Sequence, residues 1–365
     1  MRAHNLYVWV LRYSRNAAVH SPVMPFTLSS DDMSLGAVMR TRCKLHQPHK
    51  SYNLWTWLPA KPKQTEVGAL VLGDSWADHV DMGFECWQTT LARHRGLSVL
   101  NAACGGERLG QCRRQLQDAE AACAELGLKA GADTLVVLHA GGNDFLGALF
   151  LPPCLLALVF DMVLLAIARA SQRRLVAASL PYFSFVGLGL RYLKWRMQQL
   201  VATLHERGYR QIVVSGPPIC AALPLARTVL TLLTLGLLGP GFVDATLRDL
   251  SALLVEGLRD EALPRIASRY DPTELQITFF DEAEVVSDLA AAAAEDKHGV
   301  VGTLRLLAAC RRPTPHTQFW RDGHHATAVV HRELASRCEA ALQAAPRPMR
   351  QLPASEAPHA PLLKS

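Results

Sequence analysis

Blocks of like charge, closely paired cysteines and uninterrupted apolar runs long enough to span a bilayer are all missing from this chain. No basic run interleaves with aromatic residues, which make up only 7% of the sequence, so a nucleic-acid surface has no support. The nine cysteines (Cys43, Cys86, Cys104, Cys112, Cys123, Cys154, Cys220, Cys310 and Cys338) are odd in number and scattered. None stands in a CxxC pair, which argues against zinc and thioredoxin-like redox sites and for reduced thiols packed as small hydrophobes. The apolar stretch Leu6 to Leu11 is too brief for a secretory h-region, and no small-residue cleavage site follows it. An intracellular setting is therefore the expectation. Internal repeats are absent as well.

What remains is ample for a large core. Of 365 residues half are hydrophobic and 19% charged, which excludes wholesale disorder. The net charge of +6, from 38 basic against 32 acidic residues, would favour an anionic membrane surface weakly. Residues 1–66 show no clear periodicity, end in the Pro/Lys-rich LPAKPKQTE, and read as an extension. Residues 67–344 read as the folded domain. The Pro-rich residues 345–365 read as a disordered tail.

Within 67–344 short apolar runs alternate with polar, helix-compatible stretches. Val67–Leu72, Leu97–Asn101, Thr134–His139, Gln211–Ser215 and Gln276–Phe280 each read as a strand buried on both faces of a parallel sheet. Glu107–Leu126, Tyr192–Arg207 and Phe242–Leu263 fit helices between them. This alternation predicts a doubly wound α/β domain whose ligand sits beyond the carboxyl ends of the strands. Two apolar insertions, about 145–188 and 219–241, break the rhythm. Each approaches the length of a membrane span. Pro152-Pro153, Asp161 and Arg227, and the strand that must rejoin the sheet between the insertions, favour a hydrophobic cap or a peripheral membrane contact instead.

Three strand ends carry candidate chemistry. Gly73-Asp74-Ser75-Trp76 places Ser75 at the mouth of the sheet, where free N–H groups at a helix start suit a developing oxyanion. A serine that merely caps the helix is the bland alternative. Gly141-Gly142-Asn143-Asp144 allows a tight turn with Asn143 offering an amide donor; a turn that only caps the next helix fits as well. In Trp320-Arg321-Asp322-Gly323-His324-His325, an Asp and a His three apart can set a carboxylate against Nδ1–H, leaving Nε2 of His325 free to take a serine proton. Adjacent histidines rarely share one metal, and no HExxH pattern is present, so no metal ligand is assigned. His139, within a strand, reads as a core histidine, and His79 and His324 as surface or lining residues. Asp74 and Asp144 read as residues that hold their own loops.

Taken in order, these blocks resemble the SGNH (GDSL-type) hydrolase superfamily over roughly residues 67 to 344. Gly73-Asp74-Ser75 is similar to its first block, Asn101-Ala102-Ala103-Cys104-Gly105-Gly106-Glu107 to the second, Gly141-Gly142-Asn143-Asp144 to the third and Asp322-Gly323-His324-His325 to the last. Trp76 stands where a leucine is usual, and Ala326 where a proline is. The resemblance implies a three-layer α/β/α fold with a flavodoxin-like, five-stranded parallel sheet. It implies Ser75 as nucleophile, His325 as base, Asp322 as its partner, and an oxyanion hole from the Ser75 and Gly106 N–H groups and the Asn143 side chain. It implies ester hydrolysis without a cofactor. Three readings follow: an acyl-lipid esterase or lipase whose insertions hold the acyl chain, an O-deacetylase or acyltransferase for carbohydrates or small molecules, and a non-enzymatic membrane-attached protein of the same fold.

Overall fold

Every strand expected from the apolar runs forms, and a parallel sheet accounts for their lack of polar alternation. In the computed structural model the described residues are 36–43, 52–59, 67–78, 85–139, 141–144, 157, 160, 185–233, 239–293, 319–320 and 325–344. Expectations for His79, Asp322, His324, the tail and nearly all of the first insertion lie outside them. The strands are β1 (Gly36–Cys43), β2 (Tyr52–Pro59), β3 (Ala69–Gly73), β4 (Val99–Asn101), β5 (Leu135–His139), β6 (Gln211–Ser215) and β7 (Gln276–Phe280). They form one sheet in the order β1-β2-β4-β3-β5-β6-β7. The last five in this order run parallel, in register Gly73↔His139↔Ser215↔Phe280 at their carboxyl ends. β2 pairs antiparallel with β4, and β1 with β2. The extension thus adds two antiparallel strands to the expected five.

The helices are α1 (Trp87–His94), α2 (Cys112–Leu126), α3 (Phe185–Glu206), α4 (Pro224–Leu233), α5 (Pro240–Glu256), α6 (Leu263–Ala267), α7 (Glu282–Ala292) and α8 (Ala328–Ala344), with a π-helical segment joining α5 to α6. Strand alternation sorts the core into two layers. Leu70, Leu72, Val136, Leu138, Ile212 and Val214 face α2, α3 and α5. Ala69, Val71, Leu135, Val137 and Val213 face α1, α7 and α8. Two packed layers around one sheet make the three-layer α/β/α architecture.

Local chemistry explains the elements that matter for the site. Leu109, Cys112, Leu116, Ala119, Ala122 and Cys123 form a helical stripe buried against the sheet. α7 starts at Asp281, whose carboxylate accepts from the Glu284 N–H at 3.0 Å, satisfying an orphan donor of the first turn. Cys86, Cys104, Cys112, Cys123, Cys220 and Cys338 are free thiols. Among the described residues no helix is long and apolar enough to cross a membrane.

Candidate active site

The order of the parallel strands reverses at β3, with β4 on one side and β5 on the other. Chains leaving β3 and β5 diverge there, opening a crevice at their carboxyl ends. Ser75 lies two residues beyond the end of β3 and is 7% exposed. Residues 75–77 form one turn, closed by Ala77 and Asp78 N–H bonds to the Asp74 carbonyl at 3.0 Å. The first regular helix described after it begins only at Trp87. The N–H groups at Ser75 therefore belong to a turn rather than to the helix start expected from sequence.

Gly73 permits the close approach of β3 and β5. A Cβ at this position would lie 2.0 Å from the His139 carbonyl oxygen, which instead accepts the Asp74 N–H at 3.0 Å. Gln115, from α2, fixes the same residue: its side chain accepts from Gly73 N at 2.8 Å and donates to Gly73 O at 2.7 Å. Gln115 interrupts an otherwise apolar helical stripe, and that interruption is the sequence signal that could have found it.

The second block hangs from β3. Ala102 N donates to Val71 O and Cys104 N to Gly73 O, at 2.9 and 3.1 Å. Gly105 N donates to the Asp78 carboxylate at 2.8 Å, tying this loop to the Ser75 turn. Gly106 is exposed with φ +78, a left-handed backbone that a side chain would strain. The third block is stitched to the second. Asn143 Nδ2 donates to the Glu107 carbonyl at 2.9 Å, and Asp144 accepts from Leu109 N at 2.9 Å. Burial pushes the Asp144 carboxyl above its usual range, against the Leu109 N–H. Asp144 thus holds a neighbouring loop as well as its own.

The last block returns from far along the chain. An isolated antiparallel bridge joins Trp320 to Ala326, both fully buried, and Thr327 N donates to Phe319 O at 3.0 Å. The loop so closed presents His325, whose Nε2 lies 2.8 Å from Ser75 Oγ, across 250 residues of sequence. The Trp76 indole backs this contact, its centroid 6.2 Å from the His325 ring. His331, on α8, accepts the Trp87 N–H through Nδ1 at 3.1 Å and so anchors α1 to α8. Ser75, His325, Gly106 and Asn143 thus sit on loops bonded to one another at one rim.

Sequence reading singled out neither Glu282 nor Ser215. Beneath the Ser75 turn, His139 Nδ1 lies 3.2 Å from Asp74 Oδ1, and its Nε2 lies 2.9 Å from Glu282 Oε2, off the N–H axis. Burial alone would lower the His139 pKa, but the Glu282 and Asp74 carboxylates outweigh it and hold it at about 10. The core histidine thus lies between two carboxylates that favour its protonated form. Glu282 follows β7 at the same end of the sheet, a position shared with every other site residue.

A cleft of about 250 Å³ between α5 and the start of α7 is lined by Cys220, Arg248, Arg259 and Asp281 among others. Neither Ser75 nor His325 lines this cleft. Among the described residues no group of three or more His, Cys, Asp or Glu side chains is arranged to hold a metal ion.

A model of the GDSL-like Lipase/Acylhydrolase family matches residues 71–333, a span that runs from β3 into α8 and takes in all four blocks. A search of curated proteins gave no match.

Proposed function

Since the chain belongs to the GDSL-like lipase/acylhydrolase family, we propose that it hydrolyses carboxylic esters of acyl lipids through a Ser75–His325–Asp322 triad. The observation that carries the proposal is the Ser75 Oγ to His325 Nε2 separation of 2.8 Å, within reach of proton transfer.

His325 Nε2 takes the Ser75 proton as Oγ forms a bond to the ester carbonyl carbon. The negative charge that develops on the carbonyl oxygen is met by the Ser75 and Gly106 N–H groups and by Asn143. Asn143 suits this role because its amide nitrogen carries two hydrogens. One is spent on the Glu107 carbonyl, which fixes the side chain, and the second remains for the oxyanion. Losing such a donor typically costs about 100- to 1000-fold in rate. The tetrahedral intermediate collapses by breaking the bond to the alcohol oxygen, which leaves with the proton held by His325. Water, deprotonated by His325, then attacks the acyl carbon, and collapse breaks the bond to Ser75 Oγ, which regains its proton from His325 as the acid leaves. Asp322, accepting from Nδ1–H, keeps the imidazole in the tautomer this cycle requires. No step calls on a cofactor.

The acyl-lipid reading rests on the apolar insertions, which leave from strand carboxyl ends next to the rim. α4, in the second, begins nine residues after β6 and leaves Leu232 56% exposed. Phe160, in the first insertion, is 54% exposed. Such surface suits acyl chains or a lipid interface. The test is hydrolysis of nitrophenyl esters from acetyl to long-chain acyl by the wild type and Ser75→Ala. A rate that rises with chain length and vanishes in Ser75→Ala supports the proposal. Strict preference for acetyl would overturn the lipid part of it.

A further inference from the structure

Two carboxylates and an imidazole are buried directly beneath the Ser75 turn, and the ester-hydrolysis cycle uses none of them. His139 and Glu282 are 0% exposed, Ser215 1% and Asp74 2%. Burying such groups is costly unless each is paired. They come together because strand order sets Gly73, His139 and Ser215 side by side, with Asp74 and Glu282 just beyond β3 and β7. His139 reaches Asp74 on one side and Glu282 on the other, and the Ser215 hydroxyl donates to Glu282 Oε2 at 2.6 Å. A carboxylate close to each ring nitrogen favours the doubly protonated ring by charge.

We infer that His139, clamped between Asp74 and Glu282, is a positioning residue that sets the geometry of both the nucleophile and its base. This rests on the reading of Ser75 and His325 given above. Two routes carry the effect. Asp74 Oδ1, which faces His139, also accepts the Trp76 N–H at 3.1 Å, so the imidazolium holds the carboxylate that shapes the turn bearing Ser75. The His139 ring also stacks on the Trp76 indole at 6.2 Å and 18°, and the same indole lies 6.2 Å from His325 and 5.6 Å from His331. A shift of His139 is therefore felt at both partners of the 2.8 Å contact. The groups facing His139 are Asp74 from the loop after β3, Ser215 from β6, Glu282 from α7 and, across Trp76, His331 from α8; Asp144 and Cys112 lie within electrostatic reach of Asp74, and Asp281 of Glu282. The thiols of Cys220 and Cys338, near Glu282, are held neutral because burial raises them, that of Cys338 to about 12.

The test measures the maximal inactivation rate and the inhibition constant of a fluorophosphonate probe on the full chain. His139→Gln is expected to slow inactivation about ten-fold or more while the inhibition constant stays within about two-fold. Ser215→Ala, which removes one hydroxyl from the clamp, is expected to slow it about three-fold and decides the matter if His139→Gln does not fold. Leu116→Ala, in the opposite core layer, supplies a control destabilised by packing alone and should retain the wild-type rate within about two-fold. In the wild type, ¹⁵N NMR should show both His139 ring nitrogens protonated at about pH 8. A folded His139→Gln that inactivates as fast as wild type, or slows no more than Leu116→Ala, overturns the inference, as does a neutral His139. A wild type that never reacts at Ser75 refutes instead the ester-hydrolysis reading on which the inference rests, and the inference with it.

Discussion

Replacing Gly73 by alanine sets one methyl group against the carbonyl around which the rim is built. The added Cβ would lie 2.0 Å from His139 O, where ordinary contact begins at 3.4 Å, so β3 and β5 must part by about 1.4 Å at this point. That movement lengthens the Asp74 N–H bond to the same oxygen from 3.0 Å to well beyond hydrogen-bond reach, and strains the two bonds from Gln115. Overpacking of this kind costs about 1–3 kcal/mol, and each buried backbone group left unpaired about as much again. The effect on activity should be larger than the effect on stability. Ser75 is two residues from the clash, and a misplacement of roughly 1 Å at a reacting atom costs about 100-fold in rate. The assay pairs thermal unfolding with kcat and KM on a nitrophenyl ester. A folded Gly73→Ala whose kcat stays within about three-fold of wild type would refute the claim that this approach fixes the nucleophile.

Further outcomes follow from the same geometry. Asp322→Asn should lower kcat by up to about 10⁴-fold with KM little changed, since the partner of Nδ1–H would no longer select the working tautomer; steady-state kinetics checks this, and an unchanged kcat would remove Asp322 from the triad. Gln115→Ala leaves both polar groups of Gly73 without their side-chain partner and should cost about 2–3 kcal/mol in chemical denaturation, with a loss below about 0.5 kcal/mol contradicting the clamp. Glu339→Gln, which breaks the solvent-facing pair with Arg95 at 2.6 Å, should cost no more than about 1 kcal/mol and leave kcat unchanged. Stability should fall as pH rises from about 6.5, because His139, held at about 10, keeps in the folded state a proton that the unfolded chain releases near its ordinary value. That stabilisation is complete below about 6.5 and gone above about 10, so melting temperatures across this window should drop, and drop less in His139→Gln. The raised thiols, such as Cys123 at about 11, act in the same direction only at the alkaline end, which leaves the lower half of the window to His139.

The parts of the fold legible in the sequence are those written in local pattern. β6 and β7 match their apolar runs residue for residue, while β3, β4 and β5 begin one or two residues late, because residues such as Val67 and Leu97 pair or pack before the ladder starts. The helix expected from Glu107 begins at Cys112, after a 3₁₀ turn over Leu109–Gln111, because the chain there first bonds to the segment after β5. β1 and β2 were not legible. β2 takes its register from β4, tens of residues away, and β1 from β2, and YNLWTWLP shows no polar alternation to announce a face. At the site, Ser75 and His325 could be read because each sits in a block with its own turn chemistry. The Asp74–His139–Glu282 clamp could not, because its members are juxtaposed only by strand order, which no local run of residues encodes. Asn143 was legible as a donor, but not the Glu107 carbonyl that holds it.

The most direct measurement is the site of covalent labelling. The purified full chain is treated with a fluorophosphonate, digested, and its adduct mapped by mass spectrometry. One adduct on the peptide holding Ser75, absent in Ser75→Ala and strongly reduced in His325→Asn, is the expected result. An adduct on another residue, or one that persists at full yield without the His325 imidazole, would contradict it.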